Sequence, residues 1–61
     1  MKTILVIEDN ALIRENLAEI LTLANYNVIT AHNGRVGVEM AELNSPDLII
    51  SDINMPGMDG F

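Results

Sequence analysis

Three carboxylates carry the chemical interest of this 61-residue sequence: the adjacent pair Glu8 and Asp9, and the distant Asp52. Acids brought together repel one another and raise each other's pKa values. A hard divalent cation relieves that repulsion, and Mg²⁺ takes oxygen ligands in octahedral geometry while keeping several waters. Such an ion also neutralises an incoming phosphoryl group, and phosphoryl transfer depends mainly on positioning and charge compensation. A carboxylate can itself be the nucleophile, forming an acyl phosphate. Plainer uses compete. An acid after a strand caps the next helix, which would suffice for Asp9. Asp52 precedes a loop with Pro56 and Gly57, where a turn aspartate is at home.

The elements around these acids alternate. Thr3-Ile4-Leu5-Val6-Ile7 is a β-branched apolar run that stops at Glu8-Asp9-Asn10. A continuous run of this kind reads as a strand buried on both faces. A helix follows, with Ile13, Leu17, Ile20, Leu21 and Ala24 on one stripe and Arg14, Glu15, Asn16 and Glu19 on the other side. Asp9 or Asn10 caps its start, and Asn25 ends it in a left-handed conformation. Asn27 to Ala31 is a second strand, and Asn33-Gly34 a turn or cap. Arg35 to Leu43 is a weaker helix, with Val38, Ala41 and Met40 inward and Gly37 costing it roughly 1 kcal/mol relative to Ala. Asn44-Ser45-Pro46-Asp47 stops it, since Pro46 disfavours helix in the residue before. Leu48 to Ser51 is a third strand that runs into Asp52, and Ile53 to Phe61 is loop.

The order β-α-β-α-β implies an α/β fold with parallel strands and right-handed crossovers. If the third strand joins beside the first, the sheet order is 2-1-3 and the helices lie on opposite faces. A switch point then forms between strands one and three, and ligands bind at the carboxyl ends of the strands there. Glu8-Asp9 and Asp52 all leave the sheet at that place.

Composition narrows the function classes. Nine acids against Lys2, Arg14 and Arg35 give a formal net charge of -6. That argues against direct binding of nucleic acid, which needs a basic footprint, and against anionic membranes. There is no cysteine, so disulfides and thiolate metal sites are excluded. The 49% hydrophobic content is too high for disorder, and no apolar run is long enough to span a bilayer or act as a signal peptide. A cytoplasmic location is expected. A chain this short buries only about 60% of its unfolded surface and usually needs a staple or a partner chain.

The sequence resembles the receiver domain of response regulators over all 61 residues. Ile4-Leu5-Val6-Ile7-Glu8-Asp9-Asn10 resembles that family's first strand and acid pair, and Asn33-Gly34 the turn into its second helix. The stretch from Pro46 through Asp52-Ile53-Asn54-Met55-Pro56-Gly57 to Phe61 resembles its phosphorylation strand and following loop. The resemblance implies a flavodoxin-like fold with Asp52 as phosphoacceptor. It implies Asp9 as a direct Mg²⁺ ligand, Glu8 acting through water, and Asn54 completing the metal site through its carbonyl. The phosphoryl donor would be a sensor histidine kinase or a phosphotransfer protein, and the module would not be an enzyme. The family's pattern continues beyond Phe61, with two more strands, a Ser or Thr and a Lys that contact the phosphoryl group, and an aromatic switch residue. The expectation is therefore a truncated receiver over 1–61, the N-terminal half, lacking the last two strands and impaired in phosphorylation. Lys2, at the amino end of strand one, cannot replace the missing Lys.

Other residues add less. His32 has no companion ligand and reads as a loop histidine. Met40, Met55, Met58 and Phe61 read as core or core edge, and Asp59 as a turn residue. Asp52-Ile53-Asn54 is similar to an aspartate-nucleophile phosphatase motif, but that motif needs an acid where Asn54 stands. An apolar third strand at a sheet edge invites pairing with another chain. A homodimer or higher assembly, through strand three or exchange of the tail, is expected. The alternative to the receiver reading is a self-associating structural or interaction fragment with no signalling output.

Overall fold

A computed structural model describes residues 1–51 of the chain. Asp52, Asn54, Met55, Pro56, Gly57, Met58, Asp59 and Phe61 lie outside the described residues. The first apolar run forms β1 (Thr3–Ile7), in which Ile4 to Ile7 are all buried. Leu5 and Val6 are fully covered, so both faces of the strand are packed, as an unbroken run requires.

Helix α1 (Ala11–Leu23) begins at Asn10, whose side-chain oxygen accepts the Ile13 N–H at 3.1 Å. It ends in a hydrogen-bonded reversal. The Tyr26 N–H donates to the Leu21 carbonyl and the Asn25 N–H to the Thr22 carbonyl, with Asn25 at φ 72°. That is the left-handed stop expected of Asn25, and it satisfies carbonyls the helix leaves open. Strand β2 (Asn27–Ala31) follows, then α2 (Gly34–Asn44), with Asn33 accepting the Val36 N–H at 2.8 Å. Ser45 closes α2 at φ 47°, donating its N–H to the Ala41 carbonyl, and Pro46 prevents continuation. Strand β3 (Leu48–Ser51) completes the described chain.

All pairings are parallel and the sheet order is β2-β1-β3, as expected. The register runs from Thr3 opposite Asn27 to Ile7 opposite Ala31, and from Ile4 opposite Leu48 to Ile7 opposite Ser51. Asp47 ties the amino edge. Its carboxylate accepts the Thr3 N–H at 2.8 Å, and its own N–H donates to the Thr3 carbonyl.

Packing differs from the expected helix faces in two places. On α1, Leu17, Ala18 and Leu21 are half-buried, whereas Ile13 and Ile20 are 47% and 61% exposed and Ala24 is exposed. The helix packs on β1 and β2 but not substantially on β3. This narrow contact is centred about a sixth of a turn away from the centre of the apolar stripe. On α2, Val38 is 60% exposed, and the inward side is Val36, Gly37, Met40 and Ala41. Residues 36, 37, 40 and 41 share one helical face, and 38 lies opposite. With Leu5, Ile7, Ile29 and Ala31 they form the core between α2 and the sheet.

Gly37 has a specific reason to be glycine. A Cβ there would overlap Ile7 Cδ1 and lie 2.8 Å from Ile7 Cγ1. The helix thus approaches β1 closely enough for the isoleucine to fill the glycine's notch.

Candidate functional site

The acid pair leaves the sheet where β1 ends. The Glu8 N–H donates to the Ala31 carbonyl at 3.0 Å, which extends the pairing with β2 by one step. Strand alternation and this tether draw Glu8 inward, and it is 7% exposed. A buried carboxylate is costly unless hydrogen-bonded. Glu8 Oε2 accepts the Asn10 N–H at 3.1 Å, and the Glu8 carbonyl accepts a hydrogen bond from Arg14 Nη1 at 3.0 Å. Asp9 is exposed on the next residue. The cap of α1 is made by Asn10, so Asp9 does not serve as that cap. Two adjacent acids therefore end β1, one inward and held, one outward.

β3 reaches the same edge. Ser51, its last residue, stands opposite Ile7, the residue before Glu8. The chain leaves β3 beside the point where it leaves β1, and Asp52 is the next residue in sequence. The Ser51 Oγ is buried and has no hydrogen-bond partner among the described residues. Asp52 and Asn54 themselves lie outside the described residues, so the full set of Glu8, Asp9, Asp52 and Asn54 is not placed. Among the described residues no group of three His, Cys, Asp or Glu side chains gathers. The donors present at the edge, Glu8 and Asp9, are carboxylate oxygens. That donor set suits a hard divalent cation such as Mg²⁺, and it does not suit soft metals.

His32 follows Ala31, which pairs with Ile7, so it leaves β2 at this same edge, and it is exposed. An open cleft of about 280 Å³ lies at the opposite, amino-terminal end of the strands, lined by Lys2, Ile4, Tyr26, Asp47 and Leu48. Lys2 belongs to that end, where its carbonyl accepts the Asn27 N–H at 2.8 Å. No helix among the described residues is long and apolar enough to cross a membrane.

Sequence reasoning missed Arg14, which it assigned to the outer side of α1. The structure half-buries it and turns its guanidinium back to the Glu8 carbonyl. The available signal was direction: long side chains near a helix start lean back over the preceding turn.

The family model described as Response regulator receiver domain matches residues 4–61. Transcriptional regulatory protein PdtaR of Mycobacterium tuberculosis (strain CDC 1551 / Oshkosh) is 47% identical over 61 residues, covering 98% of this chain and 30% of that protein. Nitrate/nitrite response regulator protein NarL of Escherichia coli (strain K12) is 42% identical, covering 97% of this chain and 28% of that protein. Among solved structures, Vibrio cholerae chemotaxis protein CheY4 superposes with a TM-score of 0.89 at 40% identity, over 95% of this chain and 48% of that one. The chain thus spans about half of that solved chain and under a third of these two curated relatives.

Proposed function

The chain belongs to the response regulator receiver domain family, and on that premise we propose that it is the phosphoryl-accepting part of a two-component signalling protein, with Asp52 as the acceptor. The supporting observation is the shared edge: Ser51, immediately before Asp52, pairs with Ile7, immediately before Glu8 and Asp9. In this reading a carboxylate oxygen of Asp52 attacks the phosphorus of a phosphohistidine on a sensor histidine kinase or phosphotransfer protein. The O–P bond forms as the P–N bond breaks, and the electron pair returns to the imidazole nitrogen. Glu8, Asp9 and Asp52, with the Asn54 carbonyl, would hold Mg²⁺, which when bound compensates phosphoryl charge. Glu8 and Asp9 orient the edge, the first from its buried, hydrogen-bonded position. The module itself is not an enzyme in this reading. An Archaeoglobus fulgidus protein-glutamate methylesterase/protein-glutamine glutaminase is 52% identical over 59 residues, but the match covers only 17% of that protein. Its named activity therefore does not carry over. A single unit over 1–61 and a cytoplasmic setting complete the proposal.

Incubation of the intact protein with a small phosphodonor and Mg²⁺, followed by intact-mass analysis, tests the site. One phosphoryl group is expected, lost in Asp52→Asn and lost on chelation of Mg²⁺. Undiminished labelling of Asp52→Asn would place the acceptor elsewhere. The 61-residue segment tested by itself is expected to label poorly.

A second reading rests on β3. Leu48 and Ile49 are 54% and 49% exposed, and β3 pairs only with β1 among the described residues. An open apolar edge favours strand pairing with a second copy. Sedimentation of the 61-residue chain separates the readings: a compact monomer at low micromolar concentration removes self-association.

A further inference from the structure

The β1–α1 turn is held by a side chain that is not itself placed to ligate a cation. We propose that Arg14 is a positioning residue for the acid pair, its guanidinium clamping the Glu8 carbonyl and so fixing the turn that presents Asp9. The proposal rests on the reading that Glu8 and Asp9 help to hold a divalent cation.

The backbone of Glu8 is fastened on both sides of its Cα, in the two peptides that flank it. Its N–H is tied to the Ala31 carbonyl of β2, and its carbonyl to Arg14 Nη1, each at 3.0 Å. The Glu8 carbonyl belongs to the peptide that joins Glu8 to Asp9. Fixing it fixes the plane of that peptide, and so the direction in which the exposed Asp9 leaves the sheet. The Asn10 N–H then returns to Glu8 Oε2 at 3.1 Å, while the Asn10 side chain anchors the first turn of α1. Without Arg14 the carbonyl would lose a charge-assisted bond beside a buried acid, and the Glu8–Asp9 peptide would be free to rotate.

Charge alone predicts the opposite. A guanidinium near a cation site repels the cation, so deleting it should tighten binding if Coulomb interaction dominated. A positioning role predicts weaker binding. Outer-shell partners that orient ligands typically cost tenfold or more in metal affinity when removed. The sign of the change therefore decides between the two.

The test is a Mg²⁺ titration of the intact protein, followed through the backbone amide shifts of residues 8–10. Arg14→Met keeps the apolar stem and removes the donors; about tenfold weaker Mg²⁺ binding is expected. Arg14→Lys keeps a donor and the charge, and its affinity is expected to lie closer to wild type. The metal-free amide shifts of Asp9 and Asn10 should move in Arg14→Met and return toward wild type in Arg14→Lys. Unchanged or tighter binding in Arg14→Met overturns the proposal, as does a lowered melting temperature with no change in affinity. Should Arg14→Met fail to fold, Arg14→Gln, too short to reach, carries the same comparison. Asp9→Asn is the control: if it leaves Mg²⁺ binding intact, the cation reading itself fails, independently of Arg14.

Discussion

Two of the hydrogen bonds that Asn10 makes at the turn after β1 are separable. Its side-chain oxygen caps the Ile13 N–H, and its backbone N–H donates to Glu8 Oε2. Asn10→Ala removes the first and keeps the second. Loss of such a cap typically costs about 1 kcal/mol. Asp9 makes no cap, so Asp9→Ala is expected to change stability by less than about 0.5 kcal/mol. Urea denaturation of the two variants checks the pair. Equal losses would mean that Asp9 shares the capping. The contrast matters for function, because an acid free of structural duty can be selected for chemistry alone. Glu8, 7% exposed, is in the other position. Its replacement disturbs folding and site together.

At the scale of elements, Gly37 sets two effects against each other. Alanine in a helix interior is favoured over glycine by about 1 kcal/mol. A methyl group at 37 would overlap the side chain of the buried Ile7, and overpacking costs typically 1–3 kcal/mol. The packing term is the larger, so Gly37→Ala is expected to destabilise. Ile7→Val removes Cδ1, the atom of closest overlap, and the double variant should lose less than the sum of the single losses. Thermal or urea melts of the four proteins measure that coupling; strict additivity would deny the contact. The same glycine shows where the sequence was legible. Element order, strand bounds and parallel pairing followed from an unbroken apolar run, cap residues and the alternation of strand and helix, whereas the 2-1-3 order came from the resemblance to the receiver family. Helix ends moved by a single residue. The inward faces were less legible. The apolar stripe of α1 is wider than the contact the described sheet offers it, so periodicity could not say which half would be covered. Gly37 looked like a defect because its benefit lies in a residue distant in sequence. Arg14 looked solvated for a more local reason: its partner, the Glu8 carbonyl, lies back across the start of α1 and not on the helix. Of the candidate site, the edge and its two β1 acids were readable from strand ends. The backbone bonds that hold them were not, since they depend on how far a side chain on α1 reaches back.

The whole molecule weighs an open edge against its charge. Leu48 and Ile49 invite a second copy onto β3, yet the chain carries a formal net charge of -6, and like-charged copies repel. Self-association of the 61-residue chain should therefore strengthen as added salt screens the repulsion. Leu48→Lys, a charge on the exposed edge, should abolish it. Sedimentation at low and high ionic strength reads both effects, and association that salt weakens would point to an ionic contact instead. The two ends of the sheet also have different characters. Asp47, Thr3, Lys2 and Asn27 bind one another at the amino edge, while Glu8 and Asp9 stand at the carboxyl edge. The five residues of β1 separate them by about 17 Å. Met1, 90% exposed, sits beyond the amino edge. A fluorophore or surface tether joined there would hold the protein by its back, leaving the acid edge turned outward toward whatever approaches it.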